Sequence, residues 1–332
     1  MEKKVYRPEE LSSEVGGSLP PASRPSLLRK HGSRHPPLRG PAPEGIIDAP
    51  PPYRVTIADP AGNLTALVEA ADEQAVPVAV WTDAERRRIA HRVMRDYPAV
   101  EQTGFVIPGI PEAEGETGRL WRLEMAGGEF CGNAARSFGL WVARKQGLCG
   151  KVAISITLSG AKDPLTVLAD TENGEAEVAL PPPRKTAAIR YRGEYLPAVI
   201  FDGITHVIIE GIDQNTDKTA LAKTFFAVKE AAYNALAGDS ADAQSFAAFG
   251  ALFYDTATAF LRPAVFVSGI ESFVFENSCG SGSAAFACHR ARHLPDGEHR
   301  LALHQPGGTI TTRVVKKTGR PAAIFIGGHV AI

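Results

Sequence analysis

Two stretches of this 332-residue chain repeat one another, and that repeat limits its folds more than any other feature. The first is EFCGNAARSFGLWVARK, starting at Glu129; the second is ENSCGSGSAAFACHRAR, starting at Glu276. In each, a strand-like run reaches an acidic residue, then Cys-Gly, then small residues that open a helix. The continuation corresponds as well. KVAISITLSG, PLTVLA, the turn ENG and EAEVAL follow Cys131; HRLALHQPGG, TITTRV, the turn KTG and AAIFIGG follow Cys279. Gly160 lies 29 residues after Cys131, and Gly308 lies the same 29 after Cys279. One coincident Cys-Gly means little. A helix and two hairpin strands recurring in order predict two related halves, each presenting a cysteine at a helix N-terminus.

The remaining elements fit this division. YRVTIAD alternates like a strand, DPAGN is turn chemistry, and LTALVEA resumes a strand. Thr82-Asp83-Ala84-Glu85 forms a capping box opening the helix ERRRIAHRVMRDY. QTGFVIPG and RLWRLEMA are strand candidates, and a break falls at Pro181-Pro182-Pro183. Beyond it lie the strands YLPAVIF and HVIIEGI, an Ala-rich helical stretch from about Asn215 to Phe249, and the strands PAVFVSG and SFVFE. Strands outnumber helices and come in hairpin-like runs, which predicts α+β rather than a doubly wound parallel sheet. The expected domains are residues 53–180 around Cys131 and 181–332 around Cys279, with the last strand able to return to the first. Residues 1–52 hold 11 of the 25 prolines without regular periodicity and read as an extension.

Composition excludes several classes. With 36 basic and 37 acidic side chains, net charge -1, the chain lacks the clustered cationic excess of a nucleic-acid binder. No run approaches the ~20 apolar residues a membrane span needs, and no apolar run follows the N-terminal lysines. Four cysteines are too few for a disulfide scaffold and read as cytosolic thiols, so a cytoplasmic enzyme is expected.

The chemistry follows from the two cysteines. A thiol at a helix N-terminus sits at the positive end of the dipole, which predicts a lowered pKa. The small residues behind each, Gly132-Asn133 and Gly280-Ser281, leave backbone N–H groups open to an anion. Two such termini facing each other would hold a carboxylate and place one sulfur on each face of its Cα. One thiolate then removes the α-proton while the opposing thiol donates to the other face, with no cofactor. The pair titrates as a unit.

At these residues the chain resembles the diaminopimelate epimerase family of cofactor-independent amino-acid racemases and epimerases. The resemblance covers most of residues 53–332 and rests on DPAGN, GGEFCGNAAR and SCGSGSA. It implies two pseudo-symmetric α+β domains, each a β-sheet wrapped round a central helix, with the active site in the interdomain cleft. It also implies that Cys131 and Cys279 are the acid/base thiols, that Gly132, Asn133, Gly280 and Ser281 bind the α-carboxylate and α-amino group, and that Asn63 contacts substrate. Glu276 matches the glutamate that meets the α-amino group, and Gln102 a substrate-side glutamine. Family members are often homodimers. The chain departs from true diaminopimelate epimerases at the distal end of the substrate. The run Phe275-Glu276-Asn277-Ser278-Cys279 carries no arginine after the glutamate, and Gly203-Ile204-Thr205-His206 replaces Gly-Asn-Pro-His. A pocket without those groups leaves a second amino-acid head group unpaired. In this the chain is similar to the histidine racemases that supply D-histidine to opine-type metallophores; the imidazole itself comes from the resemblance alone.

Other signals are weaker. Cys279 to Ala285 contains a G-x-G-x-x-A pattern without the downstream acidic strand end of a dinucleotide site. His289 and His293 are four apart but flanked by Arg290 and Arg292, which reads as a solvated basic face and not a metal site. His206 reads as a satisfied structural histidine, Cys288 as core, and Phe225, Phe226 and Tyr233 as core or dimer contact. Three readings stay open: a histidine racemase, a diaminopimelate epimerase or racemase of another amino acid, and a non-catalytic carboxylate-binding protein.

Overall fold

The computed structural model describes residues 52–72, 74–109, 120–236, 247–268 and 271–332. The proline-rich extension therefore lies outside the described residues, apart from Pro52, whose carbonyl accepts the Ala71 N–H.

The first elements are β1 (Tyr53–Ala58), β2 (Thr65–Ala70), α1 (Asp83–Asp96), β3 (Gln102–Ile107), β4 (Trp121–Met125), α2 (Gly132–Lys145), β5 (Lys151–Leu158), β6 (Leu165–Asp170) and β7 (Glu175–Leu180). Next come β8 (Lys185–Tyr191), β9 (Glu194–Ile200), β10 (Ile204–Glu210), α3 (Lys218–Leu236), β11 (Ala248–Asp255), β12 (Phe260–Val267), β13 (Ser272–Phe275), α4 (Gly280–Ala291), β14 (Gly297–Gln305), β15 (Gly308–Lys317) and β16 (Arg320–His329). The chain is α+β, with sixteen described strands in one hydrogen-bonded sheet.

The pairing recurs across this sheet. β1–β2 is antiparallel, β2–β3 parallel, β3–β4 antiparallel, β4–β5 parallel, and β5–β6 and β6–β7 antiparallel. The same sequence of senses runs through β9–β10, β10–β11, β11–β12, β12–β14, β14–β15 and β15–β16. In both sets a helix spans each parallel step: α1 and α2 in the first, α3 and α4 in the second. β16 also pairs with β7, joining the two sets.

Local sequence explains the helices. At α1 both bonds of the capping box form, Glu85 N to the Thr82 side chain and Thr82 N to the Glu85 carboxylate. α2 and α4 are apolar or small nearly all round and are buried along almost their whole length, as helices of that composition must be. They share one apolar core with strands of both sets. α3 packs Phe225 and Val228 into a second core, with Phe226 and Tyr233 partly buried at its edge; α1 covers a third with Ile89 and Val93. Cys288 is buried, as core, in α4.

One sequence reading is corrected. Among the described residues the helical stretch expected to reach Phe249 covers Lys218–Leu236, and Ala248–Asp255 is instead strand β11, parallel to β10; residues 237–246 lie outside the described residues. The run AFGALFYD has too many buried aromatic and apolar positions for a helix with one exposed face, and inserts as a strand buried on both sides.

Candidate active site

Cys131 and Cys279 are the N-cap residues of α2 and α4, both in extended backbone conformation. Each sulfur accepts an N–H of its own helix at 3.4 Å, from Ala134 and Gly282 respectively. Neither helix has an acidic residue in its first turn. The leading N–H groups, at Gly132-Asn133 and Gly280-Ser281, have no carbonyl partner within their own helix, so both termini are open to an anion.

The two termini meet at Ile326 of β16. A Cβ on Gly132 would fall 2.8 Å from Ile326 Cδ1, and one on Gly280 2.7 Å from the same atom. A side chain at either position would have to displace the end of the Ile326 side chain, and at Gly132 that of Leu180 as well. Strand β16 thus serves as a common floor for two cysteines 148 positions apart in the chain.

Polar side chains bind these termini together. Asn63 donates to Glu101 Oε2 at 2.6 Å and accepts from Gln102 Nε2 at 2.6 Å. Asn133 Nδ2 stands 3.4 Å from both Asn63 Oδ1 and Ser278 Oγ. Asn277 donates to Glu101 Oε1 at 2.9 Å and to the Gly62 carbonyl at 3.2 Å, and its own carbonyl accepts Gly307 N–H at 2.9 Å. The Asp59-Pro60-Ala61-Gly62 turn packs so closely here that a Cβ on Gly62 would sit 2.5 Å from Gly307 Cα, and Gly62 has φ +82. Only glycine satisfies both demands. Arg136, fully buried, donates from Nε to Asn133 Oδ1 at 3.2 Å and from Nη1 to the carbonyls of Gly328 and His329.

All nine residues singled out from the sequence gather at this junction: Cys131, Cys279, Asn63, Gln102, Gly132, Asn133, Glu276, Gly280 and Ser281. Five more join them that the sequence did not mark as functional: Glu101, Arg136, Asn277, Ser278 and Gln305. Gln305 accepts Cys279 N–H at 2.9 Å.

The thiols do not behave as a helix terminus alone predicts. Burial pushes the Cys131 thiol up, against the amide of Ala134 and the side chain of Gln102, and the carboxylate of Glu129 raises it further. Cys279 is pushed up to about 12, chiefly by burial and then by Glu276, while Ser281 and the Gly282 amide pull it down and Cys131 adds to the rise. Desolvation and two carboxylates outweigh the helix N–H groups. Both cysteines are free and partly exposed. An ammonium group entering here would offset the two carboxylates and draw one thiol toward thiolate.

The other histidines stand apart. His289 and His293 line a cavity of about 550 Å³ at the far end of α4, where Arg290 pairs with Glu210 at 3.6 Å. Among the described residues no group of three or more His, Cys, Asp or Glu is arranged to hold a metal ion. No helix among them is long and apolar enough to cross a membrane.

Comparison with known proteins agrees with this geometry. Residues 55–332 match the family model described as "Histidine racemase CntK N-terminal domain". A histidine racemase of Fusobacterium nucleatum is 28% identical over 256 residues, 75% of this chain and 85% of that protein. A histidine racemase of Staphylococcus aureus is 26% identical over 257 residues, 76% of this chain and 85% of that one. In fold the chain is similar to a hydroxyproline epimerase from Agrobacterium vitis, with TM-score 0.52 and 10% identity over 84% of this chain and 88% of that one. With five-sixths of its length matched by one model, the chain belongs to the histidine racemase CntK N-terminal domain family, whose named reaction is an isomerisation.

Proposed function

We propose that this protein is a cofactor-independent racemase that interconverts L- and D-histidine through Cys131 and Cys279. The observation that carries the reading is the meeting of two cysteine-capped helix N-termini at one residue, Ile326. Histidine is supported by the family and by the relatives named above.

The substrate carboxylate sits against the open N–H groups of Gly132-Asn133 and Gly280-Ser281, and its α-ammonium faces Glu276. One cysteine, as thiolate, takes the α-proton and becomes a thiol. The electron pair left on Cα spreads into the carboxylate, where the helix N–H groups stabilise it. The other cysteine, a thiol, gives its proton to the opposite face and becomes a thiolate. The turnover inverts Cα and exchanges the protonation of the two sulfurs, so the next turnover runs most readily from the product enantiomer. Asn63 and Gln102 orient the substrate from the DPAGN side.

The same reading holds the chain to be two pseudo-symmetric halves in the manner of diaminopimelate epimerase, residues 53–180 and 181–332. Each is a sheet wrapped round one helix, with the site between them and β16 returning to the first half. The recurring pairing senses support this. We further read residues 1–52 as an extension and the protein as a cytoplasmic homodimer acting on a small molecule, with neither nucleic acid nor membrane as partner.

The test is α-proton exchange. The reduced protein, without added cofactor, is incubated in D₂O with each L-amino acid and with meso-diaminopimelate, and loss of the α-proton signal is followed by NMR. Exchange on histidine together with D-histidine is the expected result. Exchange on diaminopimelate or another amino acid would move the substrate, and none at all would leave a carboxylate-binding protein.

A further inference from the structure

His206 is buried completely on β10, between Val199 of β9 and Gly250 of β11. Its ring takes the space that a side chain at position 250 would need: a Cβ there would fall 2.2 Å from Nδ1 and 2.6 Å from Cε1. Phe201 closes another side, edge-on at 6.4 Å between ring centres. Inside this cradle Nδ1 has no hydrogen-bond partner, while Nε2 lies 2.9 Å from Ser281 Oγ. Ser281 Oγ in turn lies 3.6 Å from Cys279 Sγ. The histidine is therefore not the satisfied structural residue expected from the sequence.

Burial alone holds the ring near pKa 3, so it is neutral and carries one proton. A buried N–H without an acceptor is rarer in proteins than a buried lone pair without a donor. Nδ1, walled by Gly250 and unpartnered, is the nitrogen that goes without the proton. Nε2 then carries it and donates to Ser281 Oγ, which leaves the hydroxyl hydrogen of Ser281 free to point at Cys279 Sγ. With the opposite tautomer Ser281 would donate to the histidine and have nothing to offer a thiolate.

We propose that His206 is a positioning residue for Cys279: its Nε2–H fixes the Ser281 hydroxyl as a donor to the Cys279 thiolate. This rests on the two-thiol reading, in which Cys279 is a thiolate once per turnover. It answers a need visible in the site, since burial and Glu276 both oppose that thiolate.

The experiment reads the thiol directly and needs no substrate. The full-length reduced protein and its His206→Phe, His206→Gln and His206→Asn variants are labelled with iodoacetamide across a pH series. Each cysteine is followed by peptide mass spectrometry, with Cys131 as the reference within the same molecule. In His206→Phe, labelling of Cys279 at a fixed pH below its midpoint should slow about tenfold, the worth of one charge-assisted hydrogen bond, while Cys131 stays within about twofold. Gln can place an amide where Nε2 was and should restore labelling; Asn reaches only the Nδ1 position and should not. Histidine turnover should fall in kcat with KM little changed. Equal labelling of Cys279 in wild type and a folded His206→Phe would overturn the proposal, as would equal slowing of both cysteines. If the Phe variant does not fold, identical behaviour of the Gln and Asn variants overturns it. A labelling shift in a protein that racemises nothing would sink the racemase reading and leave this one standing. Racemisation without the shift would do the reverse.

Discussion

The side-chain amide of Gln305, at the end of β14, accepts the backbone N–H of Cys279 at 2.9 Å. Its other end donates to Ser283 Oγ at 2.8 Å, and Ser283 donates to the Cys279 carbonyl at 2.7 Å. Three residues therefore form a closed ring of bonds around the backbone of one cysteine, and Gln305 is 4% exposed.

Gln305→Leu keeps the bulk and removes both polar atoms, leaving the Cys279 N–H without its partner. A buried donor stranded in this way costs about 1–3 kcal/mol of stability. Because the N-cap also aims the sulfur, turnover should fall about tenfold or more, with a smaller change in KM. Urea unfolding and initial-rate kinetics check the two parts separately. A variant as stable and as fast as wild type would mean that the ring does not hold Cys279.

How much of this site was legible beforehand depended on whether a residue's signal was local. Cys131 and Cys279 announced themselves by the repeat, and the helix at Thr82 by its capping box, because neighbours in sequence carry both patterns. Glu101 stands next to the marked Gln102 and carries no local signal of its own. Its two asparagine partners, Asn63 and Asn277, lie 38 and 176 residues away, and only the folded sheet brings them together. Gln305 lies in the repeated run HRLALHQPGG, and nothing in that run says that it faces Cys279. The direction of the thiol pKa is opposite to the expectation from the helix terminus, since the dipole is a property of the helix but desolvation is a property of the whole fold. Strand β11 is hidden in the sequence because an alanine-rich run favours helix locally, whereas parallel pairing with β10 captures Ala248–Asp255.

Arg136 gives a second prediction. Burial lowers its pKa to about 10, and Cys131 and Asp59 are the groups whose negative charge would counter that. The guanidinium remains charged at neutral pH and so favours the Cys131 thiolate. Arg136→Met retains much of the volume and removes the charge. Iodoacetamide labelling of Cys131 should slow several-fold, and Cys279 should change less. Asn133 loses the donor that orients its amide, so KM for the substrate should rise as well. Unchanged labelling of Cys131 would show that the cation does not reach the sulfur.

His206 also predicts a pH dependence of stability. In the folded protein it is held near pKa 3 against an ordinary 6.5, so it stays neutral where the unfolded chain takes up a proton. Between about pH 6.5 and 3 the unfolded state binds more protons, and stability falls as the pH falls through that window. The slope is about 1.4 kcal/mol per pH unit, so moving from pH 7 to pH 5 costs about 2 kcal/mol from this group. His206→Gln abolishes that contribution and leaves the carboxylates unchanged. Urea unfolding of both proteins at the two pH values isolates the difference, and equal losses would contradict a neutral buried ring.

The last prediction concerns the sulfurs as a pair. If the two thiols flank one Cα as proposed, they face each other across the site, where a two-electron oxidant can join them, each losing a proton and one electron as the S–S bond forms. Diamide treatment should therefore abolish racemisation, and dithiothreitol should restore it. Intact-mass measurement should show a loss of two hydrogens, mapped to Cys131 and Cys279 by peptide digestion. Cys149 is exposed and Cys288 buried in α4, so neither can substitute for the pair. Cys131→Ser and Cys279→Ser complete the test. Each should lower kcat at least a hundredfold, because a serine hydroxyl is far too weak an acid to exchange protons with Cα at neutral pH. Each should also be indifferent to diamide, since the active-site thiol that remains has lost its partner. A protein that resists oxidation while fully active would show that the sulfurs do not face one another, and the inversion would then need a different second base.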